Sequence, residues 1–236
     1  MTERSAVLLS GGLDSAVLLA RELADGREAW PVHVRVGLAW EDAEAAALGR
    51  LLLHPPFAGR VRPPATLTFD MRDVYPASHW AVAGRARAWD EPDESVYIEG
   101  RNITLLAKTA VFCATRGIPR LVIGPLAGNP FPDGRPAFFE AMARALSLGL
   151  DWPLVIDAPF RTVHKHDIVS LGRKLGVPLE QTMSCNAPVD GRHCGRCNKC
   201  RERHEAFVEA GVSDGTDYAE AVSSRVGRTP DQSPIA

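Results

Sequence analysis

Hydrophobic and polar positions along the chain switch between two periods. Ala6–Leu9 is a short apolar run that reads as a buried strand, and Ser15–Ala24 has the three-to-four-residue apolar spacing of a helix. Trp30–Val36 alternates at period two, Glu41–Leu53 is an alanine- and leucine-rich helical stretch, and Ala65–Phe69 is a further strand candidate. After a long interval the alternation resumes. It predicts a helix at Asn102–Gly117, a strand at Leu121–Pro125, a helix at Pro136–Gly149, a strand at Leu154–Ile156 and a helix at Lys165–Gly176. A last helix is expected near Cys200–Ala210. Five strands alternating with helices predict an α/β fold built on a doubly wound, five-stranded parallel sheet.

The interval from Met71 to Gly100 contains Pro, Gly and Trp and shows no clear period. A structureless segment of this length is unusual in a compact domain and reads as an active-site loop or lid. The closing stretch "AVSSRVGRTPDQSPIA" is small, polar and Pro-containing, which predicts a loose tail over 221–236. The organisation expected is one α/β domain over 1–180, a helical metal-binding region over 181–220 and that tail.

Composition narrows the class. The chain has 45% hydrophobic and 24% charged residues and a formal net charge of −2, so nothing in the bulk charge points to nucleic acid or an anionic membrane. No basic segment followed by an apolar one opens the chain, and no apolar run approaches the ~20 residues of a membrane span. A cytoplasmic protein acting on small molecules is expected. Oligomeric state is not legible, and a homodimer stays open.

The first chemical signal is the end of the first strand, "LLSGGLDSAVL" (Leu8–Leu18). Leu8 and Leu9 lead into Ser10-Gly11-Gly12, then Leu13-Asp14-Ser15 opens a helix. Glycines let the backbone turn and let a ligand approach closely, and the free amides of the helix start face an anion. The same residues would also serve a plain tight turn with Asp14 or Ser15 as a cap. The stretch lacks the lysine of G-x-x-x-x-G-K-[ST] and the third glycine of the dinucleotide fingerprint.

The second signal is "SCNAPVDGRHCGRCNKC" (Ser184–Cys200), which places Cys185, Cys194, Cys197 and Cys200 within 16 residues while Cys113 stands alone. Four thiolates are a complete set for a closed tetrahedral zinc site, which would be structural because no position is left for substrate. An iron–sulfur cluster is the rival, since C-x2-C-x2-C also opens ferredoxin runs. His193 and His204 lie nearby and read as solvated surface histidines.

The run Ser10–Ser15 resembles the SGGxDS phosphate loop of ATP pyrophosphatases. Together with the C-terminal cysteines it resembles the 7-cyano-7-deazaguanine synthase family. "EGRNITLL" (Glu99–Leu106), "PDGRPAFFEA" (Pro132–Ala141), "LGVPLEQTMSC" (Leu175–Cys185) and "GRCNKCRERHEAFVEAG" (Gly195–Gly211) match further motifs of that family. The chain departs from it at "VGLAWED" (Val36–Asp42), at "AGNPF" (Ala127–Phe131), at Gly134 where a cysteine is usual, and at Met183 where an aromatic is usual.

The resemblance implies an adenine nucleotide alpha hydrolase-like fold and a ligase. In that chemistry ATP, accompanied by Mg2+, activates 7-carboxy-7-deazaguanine as an adenylate, and ammonia displaces AMP. It implies ATP contacts from Leu8, Leu9, Ser10, Gly11, Gly12, Leu13, Asp14 and Ser15, with Ser10 and Asp14 closest to the reaction. Lys165, at the start of the helix after the last strand, would reach phosphate or else is solvated. Arg101, Asn102, Asp133 and Arg135 are the substrate candidates. The Asp133 carboxylate would accept the adjacent N–H groups of a guanine-like ring; the alternative is a turn residue capping the next helix. Asn102 would otherwise be an N-cap, and Arg135 a surface arginine. Phe131, Phe138 and Phe139 offer stacking surface or core, and Cys113 reads as a small buried hydrophobe. No general base is identifiable. Two rival functions are activation of a different acceptor, such as a related carboxylate or a tRNA base, and a non-catalytic module that binds zinc and nucleotide.

Overall fold

The computed structural model describes residues 2–222; most of the tail expected over 221–236 lies outside the described residues. Five parallel strands run β1 (Arg4–Leu8), β2 (Glu28–Arg35), β3 (Ala65–Thr68), β4 (Arg120–Val122) and β5 (Val155–Asp157), in the spatial order β3-β2-β1-β4-β5. Six helices connect or follow them: α1 (Leu13–Ala24), α2 (Glu41–Leu51), α3 (Arg101–Arg116), α4 (Pro136–Leu150), α5 (Lys165–Lys174) and α6 (Asn198–Glu209). The chain winds outward in both directions from β1, so β1 and β4 flank the point where strand order reverses. In such sheets ligands bind beyond the strand C-termini at that point.

Alternate residues of the central strand feed two cores. Ala6 and Leu8 face a layer containing Leu106 and Phe112 of α3 and Phe139 of α4. Val7 and Leu9 face the opposite layer with Leu18 and Leu19 of α1, Ile168 of α5 and Phe207 of α6. Both faces of the sheet are covered, although Trp30–Val36 alternates apolar and polar residues in sequence. Val32, His33 and Val34 are all buried in β2, as parallel strands between two helix layers require. At the N-terminal edge of the sheet, Arg120 donates to Ser5 at 2.9 Å, to Asp157 at 2.5 Å and to buried Glu22, away from the strand ends that carry the site.

The aperiodic stretch 71–100 is irregular apart from a 3-10 turn at Asp93–Val96. Its order comes from distant partners. Tyr75, Trp80, Ala81, Val96 and Ile98 are buried in the core shared with α3, and Trp80 stacks on Trp40 with ring centroids 5.5 Å apart.

Candidate active site

A cavity of about 610 Å³ opens over the C-terminal ends of β1, β2 and β4. Ser10, Gly12, Leu13, Asp14 and Ser15 line its middle. Gly11 has φ +90°, and a Cβ there would stand 2.7 Å from the Glu44 carbonyl oxygen, so the turn under the loop closes only with glycine. The Gly12 amide donates to Ser10 Oγ at 3.2 Å, Ser15 Oγ donates to the Gly12 carbonyl at 3.0 Å, and the two hydroxyls are 3.3 Å apart. Gly12 caps α1 without a side chain, which leaves the first amides of the helix directed past the loop. Met183 N donates to Gly11 O at 2.8 Å, so the residue that departs from the family aromatic supports the loop through its backbone.

Lys165 enters from α5. Its ammonium is 2.6 Å from Asp14 Oδ2 and 3.1 Å from Glu202 Oε1, and Lys199 bonds the other Glu202 oxygen at 2.6 Å. Burial alone would lower the Lys165 pKa; the carboxylates of Asp14 and Glu202 more than offset it and raise it, so the charge is kept. Burial opposes the Glu202 charge as well, but the two lysines hold its carboxyl down at about 2. The second oxygen of Asp14, Oδ1, is buried without a hydrogen-bond partner among the described residues.

The β4 side of the cavity carries Asp133, in a 3-10 turn at Pro132–Gly134, and Arg101 and Asn102 at the start of α3. The Asn102 amide donates to Asp133 Oδ2 at 3.2 Å, and its Nδ2 donates to the Asp133 carbonyl at 2.9 Å. Burial pushes the Asp133 carboxyl up, against the hydrogen bond from Asn102 and the charge of Arg101. α3 begins at Arg101 after Gly100, so Asn102 ties helix to turn and is not its cap. Tyr97 stacks on Phe131 with centroids 5.2 Å apart, and both line the cavity. Phe139 is core, and Phe138 packs partly buried beside it. Arg135 is exposed and not among the lining residues, and Gly11 is beneath the loop surface. Cys113 is buried and its thiol is pushed up to about 12, which leaves it unreactive.

Three lining groups were not legible from local pattern. His33 is 3% exposed, Glu44 is 8% exposed with its carboxyl raised by burial to about 8, and Glu202 is bound into the lysine pairs. Glu44 looked like one polar residue among alanines; only the fold of α2 over the glycine loop buries it.

The four cysteines are buried together, with their Sγ atoms all within 4.8 Å of one another. Thiolates about 2.3 Å from a tetrahedral zinc ion stand about 3.8 Å apart. The pairs Cys185–Cys197 and Cys194–Cys200 are at 3.8 Å and Cys197–Cys200 at 3.5 Å, so the cluster can hold a metal ion. Gly195, at φ +77°, passes so close to Glu220 that a Cβ would overlap its carbonyl oxygen at 1.9 Å. His193 corrects the surface reading: it is 3% exposed, accepts the Ser184 amide at 3.2 Å, and burial drives its pKa down to about 3. His204 is half-buried. The knuckle also grips the 71–100 stretch. Asn198 N donates to Arg87 O at 3.2 Å and Arg201 to Trp89 O at 2.8 Å.

Residues 4–211 match the model of the queuosine biosynthesis protein QueC family. The chain belongs to this family. Among its relatives, the 7-cyano-7-deazaguanine synthase of Anaeromyxobacter dehalogenans is 38% identical, over 92% of this chain and 96% of its own length. That of Methanospirillum hungatei is 30% identical, over 91% and 99% respectively. The U34-tRNA thiolase NcsA of Methanococcus maripaludis superposes with a TM-score of 0.46 at 11% identity, over 99% of this chain and 79% of that one. Among the described residues no helix is long and apolar enough to cross a membrane.

Proposed function

We propose that the protein is an ATP-dependent ligase that converts 7-carboxy-7-deazaguanine and ammonia to 7-cyano-7-deazaguanine in the cytoplasm. The observation that carries this reading is the single cavity shared by the Ser10–Ser15 loop and the Asp133–Asn102 turn. A triphosphate on the loop and a guanine-like ring on Asp133 then meet above β1 and β4. The substrate carboxylate attacks the α-phosphorus and pyrophosphate leaves; ammonia displaces AMP and gives the amide. A second ATP activates the amide oxygen, and its departure as AMP leaves the nitrile.

In this reading Ser10, Gly12 and the amides at the start of α1 hold the leaving pyrophosphate, with Lys165 offsetting its charge. Asp14 Oδ1, buried and unpaired, fits a magnesium ion accompanying ATP. Asp133 accepts the ring N–H groups, the stacked pair Tyr97 and Phe131 borders the ring on one side, and Arg101 faces the substrate carboxylate. Residues 1–180 carry this chemistry, with 71–100 as a strap over the cavity. The 181–220 region is a platform whose Cys185, Cys194, Cys197 and Cys200 hold structural zinc.

The test is AMP and pyrophosphate release from ATP with 7-carboxy-7-deazaguanine and ammonium, with the product read by mass spectrometry. A nitrile mass that disappears in Asp14→Asn establishes the reading. AMP formed only with other carboxylates would move the acceptor, a possibility kept open by the altered "AGNPF" and Gly134 beside the ring site. No AMP with any acceptor would leave a binding module.

A further inference from the structure

His33 is a buried polar group that the ligase reading does not use. It sits on β2, and its Nδ1 is 3.1 Å from the Leu9 carbonyl oxygen. A carbonyl only accepts, so Nδ1 carries the hydrogen, and in the neutral ring Nε2 is left as a bare acceptor. That atom is buried, has no hydrogen-bond partner among the described residues, and belongs to a side chain that lines the cavity. A buried acceptor of this kind costs free energy unless a ligand or an ordered water supplies the hydrogen, and this one faces the cavity.

Which ligand follows from the order of the sheet. The phosphate loop follows β1, the Asp133 turn lies beyond β4 on one side, and His33 is on β2 on the other. With the acceptor ring at Asp133, an ATP anchored on the loop has only the β2 side for its adenosine. The wall there is mostly apolar and aromatic, from Val32, Val34, Trp40 and Trp80; Glu44 also lines it, and His33 Nε2 is the polar atom left without a partner among the described residues. Of the hydrogen-bonding groups on adenine, only the 6-amino group donates.

We propose that His33 is a specificity-determining residue for the nucleotide, its Nε2 accepting the 6-amino group of adenine. This rests on the ligase reading for its ligand but not on the identity of the carboxylate. Burial holds the imidazole below its ordinary range, which keeps the acceptor unprotonated at neutral pH. Within the loop, the same ring fixes the Leu9 carbonyl, so nucleotide choice and loop position share one side chain.

The experiment compares equilibrium binding of ATP and of purine riboside 5′-triphosphate, which has hydrogen in place of the amine, with no acceptor or ammonium present. The native protein is expected to bind ATP roughly tenfold more tightly, the worth of one buried hydrogen bond. In His33→Leu the preference falls to about one because ATP weakens while the analogue does not. His33→Asn, which keeps a donor and an acceptor, restores part of it. Equal binding by the native protein, or a preference that survives His33→Leu, overturns the proposal without recourse to any variant's activity. Equal weakening of both nucleotides assigns His33 to loop support alone and also overturns it. Failure to bind ATP at all removes the ligase reading itself, whereas turnover of a different carboxylate leaves the His33 inference standing.

Discussion

Lys165 and Asp14 lie 151 residues apart in sequence and 2.6 Å apart in space. The contact joins the helix that follows the last strand to the helix that follows the first, directly behind the glycine loop. It holds a retained positive charge beside the glycine loop and leaves one Asp14 oxygen without a partner among the described residues. Replacing the lysine therefore acts on charge and on architecture together. Lys165→Met is expected to lower kcat/KM for ATP roughly 100-fold, in line with the loss of one charged group facing a transferring phosphoryl. It is also expected to destabilise the fold by about 1–2 kcal/mol, because Asp14 and Glu202 lose their shared partner in a partly solvated site. Steady-state kinetics and denaturant titration measure the two separately.

Glu202 gives the pH dependence. Its carboxyl is held down from 4.5 to about 2 by Lys165 and Lys199 against the opposing effect of burial. A depressed acid contributes stability above its unfolded pKa and loses it as pH falls through the folded one. The contribution is complete above pH about 4.5, is about 3 kcal/mol at most, and vanishes near pH 2. Glu202→Gln should match native stability at pH 2 and fall progressively below it up to pH 4.5. Parallel stability curves over that window would show that the carboxylate is not linked to folding.

Asp133→Asn separates the two ligands. The amide oxygen can still accept the Asn102 backbone N–H, so the turn should hold. Its NH2 group, however, would face the N–H donors of a guanine-like ring. The expected result is a KM for the carboxylate substrate raised roughly 100-fold, with ATP binding unchanged. A change in ATP affinity of the same size would move Asp133 to the nucleotide side.

The sheet and helices were readable because long periodic segments leave little choice. Ser15–Ala24 and Asn102–Gly117 became α1 and α3 with shifts of a residue or two at their ends. β5 was placed one residue off, and β4 starts one residue before and ends three residues before the expected Leu121–Pro125, because partner strands, not local pattern, set their limits. The loop glycines, Asp14, Ser15 and the cysteines were legible for the opposite reason, since their chemistry is local and closely spaced. His33 was hidden because alternation in a strand assigns every second residue to solvent, and a second helix layer covers that face here. His193 was misread on the same ground: a polar neighbourhood in sequence became the interior of a metal knuckle. The 71–100 stretch has no period because its order comes from Trp40, Cys197 and Arg201, all distant in sequence.

Metal removal should act through that last set of contacts. With the ion held by four thiolates, Cys197 and Asn198 stay in register with Arg87 and Ala88, and the strap that supplies Trp80 and Tyr97 to the cavity is pinned. Chelation is expected to speed amide exchange in residues 85–98 by at least tenfold while β1 and α1 stay protected. Metal analysis of the untreated protein should give one ion per chain, and zinc rather than iron would settle its nature. Unchanged exchange in the strap would confine the metal to the C-terminal region.

Two departures from the family pattern form one packing unit. A Cβ at Gly134 would come 3.0 Å from the side chain of Asn129, and Asn129 is fixed there because its Oδ1 accepts the Phe131 amide at 2.9 Å. Asn129 therefore fills the space that a larger residue at 134 would take. Gly134→Cys alone is expected to destabilise by about 1–2 kcal/mol through overpacking and to displace Phe131 from its stack with Tyr97. Combining it with Asn129→Ser frees the space but removes the bond to Phe131, so the double variant should recover about 1 kcal/mol of the loss predicted by adding the singles. Denaturant titration of the four proteins completes the cycle. Strict additivity would mean that the two positions diverged independently, and the case for a single remodelling of this wall of the cavity would fall with it.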